Sequence, residues 1–138
     1  MSESVLLYLL HMIEHVSVPI RDYKRSVKFY TAALRPLGYR LLRKYPPDAA
    51  GFCEGESTSL WIVRQTGKIL PIHVAMRGKS KKAVQDFYAR GLKAGGKDNG
   101  APGFRLDYGD DYYAAYLIDP DGNNIEACYF GAKAPKKR

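Results

Sequence analysis

The 138-residue sequence predicts an α+β fold in which two βαβββ modules form a curled mixed sheet with a central cup. Three observations carry that expectation: an ungapped internal repeat, the same order of elements in each copy, and two histidines at matching places. Segment 15–38, HVSVPIRDYKRSVKFYTAALRPLG, lies over segment 73–96, HVAMRGKSKKAVQDFYARGLKAGG, at a constant offset of 58 (73 less 15). Seven of the 24 positions are identical: His15/His73, Val16/Val74, Lys24/Lys82, Phe29/Phe87, Tyr30/Tyr88, Leu34/Leu92 and Gly38/Gly96. Chance at average residue usage supplies about one or two.

Each copy opens with a short strand, IEHVSV or PIHVAM. Alternation puts Val16 and Val18, or Val74 and Met76, on one face and the histidine on the other, beside the small Ser17 or Ala75. A helix follows. In the first copy Asp22 is the N-cap and Tyr23, Val27, Tyr30 and Leu34 form the apolar stripe. In the second Ser80 caps, Val84, Phe87, Tyr88, Gly91 and Leu92 form the stripe, and Gly95-Gly96 ends it. Strands are then expected over 39–45, near 51–54 and over 59–64 in the first copy. The second copy reads as a glycine-rich loop, GGKDNGAPG, a short segment over 105–108, a strand over 112–118, a DPDG turn and a closing strand, NNIEACYF. The expected organisation is an extension over 1–12, one domain over 13–130 with modules of about 13–65 and 70–130, and a basic tail over 131–138 in which KAPKKR, 133–138, reads as disordered.

Composition limits the function classes. At 46% hydrophobic residues the chain has enough for a core. The apolar run Val5 to Leu10 is far shorter than the ~20 residues that cross a bilayer and lacks a signal-peptide pattern, so a cytoplasmic protein without membrane association is expected. Cys53 and Cys128 lack metal-site spacing and read as reduced and buried. The net charge of +8 comes with no nucleic-acid motif, so specific nucleic-acid binding is not expected; part of the charge sits in KAPKKR, and an anionic small-molecule substrate fits it equally well.

The closing strand poses a chemical problem. Glu126 shares a face with Cys128 and Phe130, and a carboxylate there needs a partner or a metal. The turn before it can bring it alongside His73, so His15, His73 and Glu126 are the candidate ligands of one divalent ion. A structural polar cluster is the alternative reading. The third histidine, His11, precedes the first strand and needs no special role.

The stretches IEHVSVPIRDYKRSVKFYTAALRPLGY, PIHVAM and YYAAYLIDPDGNNIEACY resemble the vicinal oxygen chelate superfamily, which holds glyoxalase I, the extradiol dioxygenases and the fosfomycin and bleomycin resistance proteins. The likeness covers about residues 13 to 130, with DPDGNNIE its most specific piece. It implies paired βαβββ modules, ligand roles for His15, His73 and Glu126, and one bound Zn2+, Fe2+, Ni2+ or Mn2+ that chelates neighbouring oxygens of a small, anionic substrate. Lyase, isomerase or dioxygenase chemistry is then expected, with Glu126 or a water on the ion moving a proton or attacking, and Arg105, Tyr108, Tyr113 or Arg64 orienting the anionic end. Two departures matter. Trp61 stands near the place where glyoxalase I resembles a four-ligand site with a further glutamate, and RLDYGD lacks a histidine that similar small members carry there. A metal-free, ligand-sequestering protein of the bleomycin-resistance type is the competing expectation, supported by Trp61 and eleven tyrosines. The cup is expected within one chain or, in a homodimer, between His15 of one chain and His73 with Glu126 of another; a homodimer is expected.

Overall fold

The computed structural model describes residues 12–136, so the N-terminal apolar run, His11, Lys137 and Arg138 lie outside the described residues. The first module is β1 (Val16–Ile20), α1 (Tyr23–Leu34), β2 (Arg40–Tyr45), β3 (Ala49–Glu54) and β4 (Ser57–Arg64). The second is β5 (His73–Arg77), α2 (Lys81–Lys93), β6 (Lys97–Phe104), β7 (Tyr113–Ile118) and β8 (Asn124–Tyr129). The helices begin 58 residues apart, the offset of the repeat (81 less 23). Each module folds into its own four-stranded mixed sheet, ordered β1-β4-β3-β2 and β5-β8-β7-β6, with only β1–β4 and β5–β8 parallel. The two βαβββ modules of the predicted fold class are therefore present, and neither sheet closes on itself.

Local chemistry sets the elements as expected in most places. Asp22 accepts a hydrogen bond from the Arg25 amide and Ser80 from the Ala83 amide, which caps the two helices. The apolar stripes turn inward: Phe29, Tyr30 and Leu34 of α1 and Val84, Phe87 and Gly91 of α2 are buried. Leu92 is 37% exposed and leaves the stripe, because the helix twist carries it past the contact that Gly91 makes. The helices meet at Gly91, where an added Cβ would press on Leu117 and come within 3.4 Å of Ala33 and Phe29. Ala33 and Gly91 are repeat equivalents, so the two modules dock about this small-residue contact.

Three expectations need correction. The segment read as a glycine-rich loop is β6, an edge strand paired with β7 through two irregularities around Gly100; an edge tolerates Pro102. Residues 105–108 form a turn instead of a strand, closed by the Tyr108 amide on the Arg105 carbonyl. Within the stretch 133–138 expected to be disordered, the Ala134 amide donates to the Asp110 carbonyl; just before it the chain folds back over Tyr129 at Gly131, where any Cβ would meet the phenol.

The DPDGN turn ties the modules together. Asp119 and Asn123 are 3% and 0% exposed. Asp119 accepts from the Tyr30 hydroxyl of α1 at 2.6 Å, while Asn123 donates to the Pro19 carbonyl of β1 at 2.9 Å and accepts from the Ile72 amide at 3.0 Å. Both cysteines are free and buried, and no described helix is long and apolar enough to cross a membrane.

Candidate functional site

Strand parity decides which side chains reach the open faces. Val18 and Met76 are buried and Val16 and Val74 pack against the core, so His73, Ala75 and Arg77 stand on the side of β5 away from the helix. The β5–β8 register sets Ala75 opposite Glu126, and β7–β8 sets Tyr116 on its other side. Glu126 is 3% exposed, and each of its oxygens has a partner: His73 Nε2 lies 2.8 Å from Oε2, and the Tyr112 hydroxyl donates to Oε1 at 2.5 Å. The predicted pairing of His73 with Glu126 is therefore present in the fold.

Around this pair lies a cleft of about 780 Å³ lined by His73, Asn99, Tyr108, Tyr112, Tyr116, Asn124, Glu126 and Phe130. Its rim is aromatic. Tyr108 meets Tyr112 edge-on at 5.4 Å, Tyr112 meets Phe130 edge-on at 4.9 Å, and Arg77 sits 5.0 Å over the Phe130 ring. Arg105 lies 5.2 Å over the Tyr116 ring and donates to the carbonyls of Ala101 and Ala114.

The carboxylate shapes the acidity of its neighbours. Burial first, then the Glu126 charge, push the Tyr116 phenol up to about 12. Burial and the bond to Glu126 raise Tyr112 as well, and burial followed by Glu126 raises the Cys128 thiol. For Tyr116 the folded state holds its proton more tightly than the unfolded chain, so its stabilising contribution is complete below the ordinary value of 10.0 and is lost as pH rises through about 12. An ultraviolet alkaline titration should show a late-ionising class of tyrosines whose midpoint drops in Glu126→Gln; a single class near the ordinary value would contradict this.

The remaining predicted residues are dispersed. His15 is exposed, precedes β1 and hydrogen-bonds its neighbour Glu14; it belongs to the first module and does not join His73 and Glu126 in one chain. Among the described residues no three His, Cys, Asp or Glu side chains converge. Tyr113 lies on the helix-facing side, buried, accepting from Gln85 at 3.0 Å, so it is Tyr112, one residue earlier, that reaches the carboxylate. Arg64 pairs with Asp48 at the end of β4, and Trp61 stacks on Tyr45 on the open face of the first sheet. Tyr112 and Tyr116 were not singled out in the sequence. Counting back from the DPDG turn pairs residue 116 with residue 126 and would have found the second of them.

Paired βαβββ modules, each with a histidine on or just before its edge strand and an uncovered sheet face, define a protein of the glyoxalase type of fold. Residues 12–127 match the Glyoxalase/Bleomycin resistance protein/Dioxygenase superfamily, and the chain belongs to it. Among solved structures it is similar to a glyoxalase/bleomycin resistance protein from Albidiferax ferrireducens, with 29% identity and a TM-score of 0.74 over 88% of this chain and 100% of that one. A glyoxalase-related enzyme from Fulvimarina pelagi follows at 17% identity and TM-score 0.68, covering 91% and 96%. Lactoylglutathione lyase from Agrobacterium tumefaciens shares the fold at 18% identity and TM-score 0.62, covering 85% and 92%. No curated protein matches the chain.

Proposed function

We propose that the chain is a small metal-dependent enzyme in which His73 and Glu126, completed by His15 of a second copy, hold one divalent ion against a small oxygen-bearing anion. The supporting observation is the 2.8 Å convergence of His73 Nε2 on the buried Glu126 carboxylate at the floor of an open cleft. Imidazole and carboxylate form a donor set that suits zinc, iron, nickel or manganese, and the described residues of one chain supply two such donors there. The missing donor motivates the homodimer. β1 and β5 are both sheet edges with one unpaired side, and each is adjacent to or carries a histidine.

A bound ion supplies Lewis acidity to a neighbouring oxygen pair of the substrate. The chain's own residues do the rest. Glu126 accepts and returns the substrate proton, and Tyr112 fixes the carboxylate by holding Oε1, which leaves Oε2 on the His73 side. Arg105, clamped by two carbonyls beside Tyr116, adds positive charge near the cleft, and Tyr108 on the rim is 72% exposed and free to meet a substrate. The reaction class is proton transfer beside a carbonyl, as in a lyase or isomerase, or ring-opening oxygenation where the ion is iron.

A metal-free, ligand-sequestering module is the second reading. It is favoured by one observation: both Glu126 oxygens already carry protein partners beneath an aromatic rim. Elemental mass spectrometry on untagged protein separates the two. About one equivalent of a divalent metal per chain is expected, lost in His73→Ala and in Glu126→Ala while circular dichroism is retained. Wild type that stays empty after reloading would exclude the enzyme reading and leave the binding module.

A further inference from the structure

The open faces of the two sheets follow one plan and are lined differently. In the second sheet Ala75 pairs with Glu126, and Glu126 pairs with Tyr116. The repeat offset carries Ala75 back to Ser17, which pairs with Trp61, and Trp61 pairs with Gly51. Trp61 thus holds in the first module the register place that Glu126 holds in the second. Its six-membered ring lies over Gly51, where an added Cβ would stand 3.1 Å from two ring carbons and 2.6 Å from Thr58 Cγ2. Tyr45 extends the surface, its ring 6.1 Å from the indole and inclined by 23°. Arg43 pairs with Gly51 and shares the face. One face therefore offers a carboxylate and an imidazole, and its counterpart offers an aromatic platform with a cation on its flank.

We propose that Trp61 is a specificity-determining residue, which receives the planar, unsaturated body of a substrate whose adjacent oxygens are held at the His73–Glu126 end. This rests on the composite cup proposed above, in which the first module of one chain faces the second module of its partner. The ring-over-glycine geometry is the warrant. A glycine opposite Trp61 lets the six-membered ring approach the backbone on a sheet face that carries no helix, and an aromatic surface selects flat, conjugated groups over aliphatic ones of equal charge. The substrate class is accordingly an anion in which a ring, or a comparable conjugated plane, adjoins a pair of chelating oxygens.

Trp61 is the chain's single tryptophan, so its fluorescence reports this surface directly. Mandelate and lactate are suitable probes, because they share the hydroxyl–carboxylate pair and the charge and differ in phenyl against methyl. Mandelate should quench the metal-loaded wild type saturably and bind at least about tenfold more tightly than lactate. By calorimetry, Trp61→Ala should bring the two within about twofold, whereas Trp61→Phe keeps most of the preference. Gly51→Ala retains the tryptophan but its methyl presses on Thr58 and displaces the indole, and should narrow the ratio too. Glu126→Gln separates this proposal from the one beneath it. If the ion holds the oxygens, both acids weaken together and their ratio stays; if the metal reading fails, neither acid weakens and the phenyl preference still stands. Equal affinities in wild type, an unchanged ratio in Trp61→Ala, or no saturable response to mandelate overturns the inference.

Discussion

Mixing His15→Ala chains with Glu126→Ala chains is expected to restore a metal site that neither variant forms alone. In one chain the helices pack against each other between the modules, with Ala33 and Phe29 against Gly91, and His15 stays apart from the His73–Glu126 pair. Pairing the first module of one copy with the second module of another brings the three donors to one cup. Under two-fold symmetry a mixed dimer then holds one site with every ligand intact and one with both substitutions. Each variant alone should lose at least about 100-fold in metal affinity, since removal of a ligand costs more than removal of the groups that orient it. Co-expression under two affinity tags isolates the mixed dimer, and its metal content per dimer is the readout. Full metal content in the His15→Ala protein would remove His15 from the site. Loss in both variants with no recovery on mixing would place the site within one chain. Wild type that behaves as a monomer in light scattering while fully loaded would have the same meaning.

The parts of this fold that were legible in the sequence were those where local periodicity and the repeat agree. Asp22 and Ser80 cap as their side chains suggest, and Val18, Met76 and His73 take the faces that alternation assigns. The errors arose where one residue changes everything. Tyr112 and Tyr113 are adjacent, both reach hydrogen bonds, and a shift of one position decides whether a phenol meets Glu126 or Gln85. The β6 segment was obscured by composition: its glycines and Pro102 read as a loop, yet main-chain pairing with β7 needs no side chain. Module docking was the least visible feature. The pattern of valines and histidines is the same whether the open faces meet within a chain or between chains. What separates the two is how closely α1 and α2 approach, which depends on the absence of a side chain at Gly91 and the fit of Ala33 against it.

Asn123→Ala should be the most destabilising single substitution outside the apolar core. The side chain is fully buried and joins three parts of the chain: Nδ2 donates to the Pro19 carbonyl at 2.9 Å and to Asp119 Oδ2 at 2.8 Å, and Oδ1 accepts from the Ile72 amide at 3.0 Å. Alanine leaves the buried Pro19 carbonyl and the partly buried Ile72 amide without partners, at about 1–3 kcal/mol each, and removes a charge-assisted bond to Asp119. A loss of about 3–5 kcal/mol of unfolding free energy is expected in urea titrations, with an unchanged m-value if the transition stays two-state. Asn123→Asp keeps the shape and replaces the donor with an acceptor facing Asp119 and the Pro19 carbonyl. It should therefore cost as much as alanine or more, which distinguishes hydrogen-bond polarity from packing. Tyr30→Phe is the milder comparison. It removes only the 2.6 Å bond to Asp119, whose other oxygen still accepts from the Asp121 and Asn123 amides at 2.8 Å, and about 1.5–3 kcal/mol should go. A loss below about 1 kcal/mol for Asn123→Ala would show that the turn does not clamp the modules. The DPDGN stretch would then have to be explained by where it sends β8, and with it Glu126, instead of by what it holds together.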